Sequence, residues 1–191
     1  MFDEYKYAYY YALRTEARDR VVKALNNKIK QGKSKGVWAN ITLASIDNAA
    51  ISYSRKEWPK YYNEDTHTGF DHSWETLYHK FIPNPANYNI AIWQQVGDSK
   101  ILQGLALGEP SKGKTHLVVK WIERSFAPTY FKGGILLPVL ACAEEYAKLL
   151  GCQRVLIKDP RVDEGTFEKY GYAPYRLSQG GNYLSKELDH G

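Results

Sequence analysis

Residues 131–136, Phe131-Lys132-Gly133-Gly134-Ile135-Leu136, are the first place in this chain where residue types and spacing suggest chemistry. Two glycines follow a lysine and precede the apolar run "ILLPVL", which reads as a loop opening a helix. Backbone N–H groups at a helix start have no partner within the helix, and the helix dipole favours an anion there. Glycines let the backbone approach phosphate oxygens with no Cβ in the way, and Lys132 adds a charge. A plain turn is the alternative reading. Pro138 fits only near the start of that helix, because its ring and missing N–H disrupt an interior turn.

His72, Glu75 and His79 in "HSWETLYH" form a second group. Their i, i+3, i+7 spacing places them on one face if 71–82 is a helix capped by Asp71. Two imidazoles and a carboxylate are metal-ligand types. Two turns separate the outer pair, however, about 10.5 Å between backbones, too far for a shared ligand set. No metal is expected, and the face either walls a substrate cleft or is plain solvated surface. The third group is "YKYAYYYA" (5–12), set in a segment where residues 1–35 hold nine Lys or Arg against four acids. That segment accounts for the whole net charge of +5. Rings stack on bases while Lys and Arg hold phosphates, which makes nucleic acid a partner open to residues 1–35. The other reading is amphipathic tyrosines docking a helix on the core. Trp58, Tyr61 and Tyr62, in a polar stretch, are candidates for the mouth of a substrate site.

The elements that must position these residues follow from composition and periodicity. A chain of 191 residues, 43% hydrophobic and 25% charged, suits one globular domain with its own core. No stretch approaches the roughly 18 apolar residues of a membrane span. The N-terminus has neither the apolar core nor the cleavage site of a signal peptide. Cys142 and Cys152, ten apart, fit neither a disulfide framework nor a metal knuckle. A cytoplasmic protein is the default expectation. Periodicity predicts a helix over the first thirty residues, on Tyr5, Tyr9, Leu13, Val21, Leu25 and Ile29. A polar break covers 30–36, a stretch readable as strand or helix 37–54, and a loop 55–70. Strand-like runs at 88–95, 101–109 and 115–126, joined by Gly-, Asp-, Ser- and Pro-bearing turns, predict an antiparallel meander. A helix over 134–151 stopped by Gly151, a buried strand over 154–159, a short helix over 165–172 and a strand over 182–188 complete the order.

Over residues 88–188 that order resembles the GNAT N-acetyltransferase superfamily. Phe126-Ala127-Pro128 falls on the family's V-x-P step, and 131–136 on its R/Q-x-x-G-x-G/A loop. "FEKYGY" falls on its "YEKLGF" segment, and "YLSKEL" on its closing strand. Phe131 stands where the family prefers Arg or Gln, Leu136 where it prefers Gly or Ala, and Phe167 where many members carry a Tyr. The resemblance implies an α/β fold with a mixed, mostly antiparallel central sheet flanked by helices. Residues 1–36 are then a basic, Tyr-rich helical extension packed on a domain of residues 37–191.

The same resemblance implies acetyl-CoA or another acyl-CoA, its pyrophosphate held by Phe131, Lys132, Gly133, Gly134, Ile135 and Leu136. Backbone N–H groups near Phe126 are the implied oxyanion donors. Glu123 is the implied base, and Tyr170, three residues beyond Phe167, the substitute proton donor to the thiolate. Arg124, with His72, Glu75 and His79, is expected to bind the acceptor. In a regular strand Glu123 and Arg124 face opposite sides, so register or a bulge decides which meets the cleft. The implied activity is acyl-CoA-dependent N-acyl transfer, acetyl to an amine of a small molecule or protein. Two alternatives stand beside it: an enzyme of the same fold directed at a DNA base or aminoacyl-tRNA, and a non-catalytic GNAT-shaped binding module.

Overall fold

A computed structural model of the chain describes residues 3–33, 38–63, 72–128, 131, 134–160, 165–178 and 180–190. Helix α1 (Glu4–Lys30) starts where the Asp3 side chain accepts the Lys6 N–H. Its buried face is Tyr10, Arg14, Ala17, Arg18, Val21 and Leu25. The hydrophobic spacing expected through Tyr5 and Tyr9 is corrected here, since Tyr5 is 91% and Tyr9 54% exposed. Two arginines hold core positions on the stripe, and a hydropathy pattern does not score them.

The ambiguous 37–54 stretch is both a strand and a helix. Strand β1 (Ile41–Ala44) leads into α2 (Asn48–Glu57), whose N-cap Asp47 accepts the Ala50 N–H at 2.8 Å. The loop expected over 55–70 is corrected at its start: α2 runs to Glu57, and a 3-10 turn (Trp58–Tyr61) follows with Pro59 in its first positions. Helix α3 (Trp74–Phe81) is shorter than expected. Ser73, not Asp71, caps it through the Thr76 N–H, and Asp71 lies outside the described residues.

The meander is β2 (Tyr88–Val96), β3 (Ser99–Pro110) and β4 (His116–Arg124). Helix α4 (Leu136–Leu149) follows, with Pro138 at its third position, where an N–H has no intrahelical partner to lose. Beyond Gly151, at φ +79, come β5 (Arg154–Lys158), the four-residue α5 (Gly165–Glu168), β6 (Ala173–Tyr175) and β7 (Tyr183–Glu187). The short helix expected to reach 172 ends at Glu168, which leaves Tyr170 in the turn after it. Strand β6 carries no run long enough to announce itself.

All seven strands form one sheet in the order β1-β2-β3-β4-β5-β7-β6, antiparallel except for β4 with β5. Helices α1 and α4 cover one face, burying Ile90, Ile92, Ala106, Leu117 and Val119 with Val139, Ala143 and Tyr146. Helices α2 and α3, with the 3-10 turn, cover the other, burying Ala91, Leu102, Leu105 and Leu107 with Ile51, Trp58, Trp74, Leu77 and Phe81. The fold is thus a mixed, mostly antiparallel sheet with helices on both sides.

The sheet contains two register shifts, and the one in β4 matters most. Gly108 pairs with Val119 while Leu107 pairs with Trp121, so Lys120 is an extra residue. Gly108 is needed there, because a Cβ would lie 2.5 Å from the Val118 carbonyl oxygen. One extra residue reverses the facing of everything beyond it. Leu117 and Val119 point to the α1/α4 side, whereas Trp121 and Glu123 point to the α2/α3 side.

Candidate active site

Glu123 is 4% exposed near the end of β4, opposite Leu105 on β3. A carboxylate so placed needs donors, because burying an unpaired charge is costly. Tyr62, just after the 3-10 turn, donates its hydroxyl to Oε1 at 2.6 Å. Trp74, first residue of α3, donates its indole N–H to Oε2. Each oxygen therefore has a side-chain donor from a different element. Burial first, and then the bond to Glu123, hold the Tyr62 pKa well above the usual phenol range. The phenol stays protonated, as a donor to a carboxylate must.

Tyr62 also meets Phe126 edge to face at 6.5 Å. The Arg124 guanidinium lies 4.0 Å from the centre of the Phe126 ring, and its Nη1 donates to the Ser125 carbonyl. Burial pulls the Arg124 pKa down. Glu123 and Arg124 are on opposite faces, and the bulge at Lys120 decides that Glu123 faces α3. Arg124 pairs with Gly104, on the side where Ile135 packs.

The pairing of β4 with β5 runs only from His116 to Val119, while β4 continues to Arg124. The two parallel strands thus part company five residues before β4 ends. Glu123 lies on the part of β4 beyond that point, and α4 begins across the same region. At the start of α4, Gly134 donates its N–H to the Phe131 carbonyl at 2.8 Å and accepts the Trp38 indole N–H at 3.1 Å. Phe131 is 2% and Ile135 4% exposed, both side chains in the core. A Cβ on Gly134 would lie 3.1 Å from the Phe131 carbonyl oxygen. The loop's own packing therefore already favours a glycine there. Lys132 and Gly133 fall outside the described residues, and Leu136 is half-buried as the first residue of α4.

The remaining sequence-predicted residues are dispersed. His72 precedes α3 and is exposed, so the one-face arrangement with Glu75 and His79 is corrected: only the latter two are helical. Glu75 pairs with Arg55 at 3.3 Å, and His79 meets the Tyr78 ring. Among the described residues no group of three His, Cys, Asp or Glu side chains is placed to hold a metal ion. Tyr170 is half-buried, its pKa raised by burial. Phe167 is buried against Tyr172, at 6.4 Å between ring centres. In the basic segment Arg14 and Arg18 are buried, and Arg20 pairs with Glu16 and Glu145.

The sequence does not single out Trp74, and marks Tyr62 as a candidate for a substrate-site mouth rather than as a donor to Glu123. Trp74 had one readable signal, the position just after a serine cap on a helix's apolar face. A buried indole N–H needs an acceptor, but nothing local names Glu123, 49 residues on.

The sequence matches no protein-family model and no curated protein sequence. Solved structures match over most of the fold. An acetyltransferase of the GNAT family from Staphylococcus aureus Mu50 superposes with a TM-score of 0.59 at 8% identity, over 78% of this chain and 99% of that one. The ribosomal-protein-S18-alanine N-acetyltransferase from Escherichia coli gives 0.52 at 13%, over 79% and 96%. The spermidine N-acetyltransferase from Vibrio cholerae, in complex with CoA and spermine, gives 0.51 at 16%, over 78% and 96%. The chain has the GNAT acetyltransferase fold. Its sequence is only 8–16% identical to these three. No helix among the described residues is long and apolar enough to cross a membrane.

Proposed function

We propose that this protein is an acyl-CoA-dependent N-acyltransferase that moves an acetyl group to a primary amine, with Glu123 as the base. The observation that carries the reading is the buried Glu123 carboxylate, clamped by Tyr62 and Trp74 beside the point where β4 and β5 part. Acyl-CoA would supply an acyl group activated as a thioester. The N–H groups of Leu136 and Leu137, in the first turn of α4, together with Lys132 and Gly133, would hold its pyrophosphate. Gly134 contributes shape more than hydrogen bonds, since its N–H and C=O are engaged within the protein.

The chemistry needs the amine nitrogen to lose a proton as its bond to the acyl carbon forms and the carbon–sulfur bond breaks. Glu123 takes that proton, directly or by way of the Tyr62 hydroxyl, which hands its own to Oε1 as it accepts another. Backbone N–H groups near Phe126 would stabilise the developing oxyanion, those of Ser125 and Ala127 exchanging their present partners, the Gln103 carbonyl and the Ser125 hydroxyl, for it. Tyr170, kept protonated by burial, gives a proton to the departing thiolate. Arg124, His72, Glu75 and His79 are the proposed acceptor contacts, with the exposed trio marking the rim.

Calorimetry with CoA and acetyl-CoA tests the cofactor half, comparing wild type with Leu136→Glu. A glutamate in the first turn suits the helix dipole, so α4 stays intact while a pyrophosphate is repelled. Binding is expected for wild type and lost in the variant. No wild-type binding at millimolar ligand would sink the enzyme reading and leave a GNAT-shaped binding module. The burial of the Phe131 and Ile135 side chains favours that second reading, since it removes them from ligand contact. Acetylation of a polyamine and of a peptide with a free N-terminal alanine then sorts the acceptor class.

A further inference from the structure

Arg14 and Arg18 lie on the buried face of α1, 4% and 6% exposed. Among the described residues neither has a carboxylate partner. Arg14 Nη1 donates to the carbonyls of Pro85 and Asn87, and Arg18 donates to the hydroxyls of Ser45 and Thr15. Arg14 Nε and Asn87 Oδ1 are buried with no hydrogen-bond partner. Burial, and then the neighbouring Arg14 charge, pull the Arg18 pKa down. Buried charges in folded proteins are ordinarily paired. Two cations four residues apart with no counter-charge are therefore a feature to explain.

Arg14 is also part of the wall of a pocket of about 60 Å³ between α1, α3 and the turns before β2. Tyr7, Tyr11, Ser45, Tyr78 and Asn87 share that wall, and among the described residues no Asp or Glu does. Asp47, the acid that reaches Tyr78, is occupied in capping α2. None of the wall residues is among those assigned to acyl transfer.

From the uncompensated arginines and this acid-free, tyrosine-lined wall, we infer that the pocket binds a small carboxylate. A planar carboxylate fits the space and matches the fork of a guanidinium, with hydroxyl-bearing side chains around it. Its negative charge supplies the partner that Arg14, in the pocket wall, lacks. The site stands apart from the acyl-transfer reading, so the failure of either leaves the other untouched.

The test is thermal unfolding of the full chain in sodium acetate against sodium chloride at equal ionic strength, with sodium phosphate as a third arm. Acetate is expected to raise the Tm saturably by roughly 2–4 °C over chloride, as binding to the folded state alone requires. Arg14→Gln should abolish that rise. Because Arg14 also ties down the 85–87 turn, the double variant Tyr11→Phe/Tyr78→Phe, at exposed and half-buried positions, provides a second check. It should weaken the acetate half-saturation about tenfold through lost hydroxyl contacts. In solution NMR the Arg14 Nε–Hε resonance should move on acetate titration. Equal Tm in acetate and chloride, a rise with phosphate alone, or a rise that survives both variants would overturn the assignment.

Discussion

Two regions of this protein bury charge, and they do so in opposite ways. At Glu123 each carboxylate oxygen receives a donor, one from Tyr62 and one from Trp74, brought in by separate elements. At Arg14 and Arg18 the partners are carbonyls and hydroxyls of the protein, no acid among the described residues balances them, and Arg14 Nε has no partner. The first arrangement is complete without a ligand and suits a group that must hold one geometry while exchanging a proton. The second leaves charge over, and suits a place where a ligand completes the set. A buried charge therefore reads as machinery or as a socket according to whether its partners are all present.

The sharpest way to break this contrast is Glu123→Gln. If Glu123 is the base, amine acetylation should fall by about 10²- to 10⁴-fold, the usual contribution of a positioned acid–base group. A loss below tenfold in steady-state rate would make it a structural carboxylate. Trp74→Phe should come next: with its indole donor gone, a buried charge is left short, costing about 1–3 kcal/mol in urea unfolding. Tyr62→Phe removes the phenol donor at a more exposed place. We expect about 1 kcal/mol there, and a double-mutant cycle with Trp74→Phe should show coupling through the shared carboxylate.

Arg18→Met sharpens the other side. Replacing an unbalanced buried cation with an apolar side chain of similar size should change stability by less than about 1 kcal/mol, or raise it. A loss as large as that of Trp74→Phe would show that the arginine is fully satisfied by Ser45 and Thr15. The smallest effect is expected at His116, paired across β4 and β5 with Arg154. Burial and then the Arg154 charge depress its pKa from 6.5. The unfolded chain takes up this proton first, so stability is complete above about pH 6.5 and declines as pH falls toward the depressed folded value. His116→Asn should flatten that slope in unfolding midpoints taken from pH 7.5 to 5.

Much of the scaffold was legible because local rules settle it. The meander, the glycine-stopped α4 and the buried β5 announce themselves through periodicity and turn residues, and they lie where expected. The N-terminal helix was legible as an element but not in its facing, since Arg14 and Arg18 occupy positions a hydropathy stripe assigns to apolar side chains. The span 37–54 resisted because β1 is four residues long and runs almost directly into α2. At the site, Glu123 was a candidate from its strand, whereas its donors came from 61 and 49 residues away.

The sequence by itself therefore determined which elements form and in what order, because helix caps, turns and apolar periods act over a few residues. Only the tertiary structure decided what they present to one another. One extra residue at Lys120 turned Glu123 toward α3, and packing of α3 on the sheet brought Trp74 to its carboxylate. The burial of Arg14 and Arg18 without an acid is likewise a property of the assembled layers. Contacts between residues far apart in the chain depend on register and packing, and no local pattern encodes those.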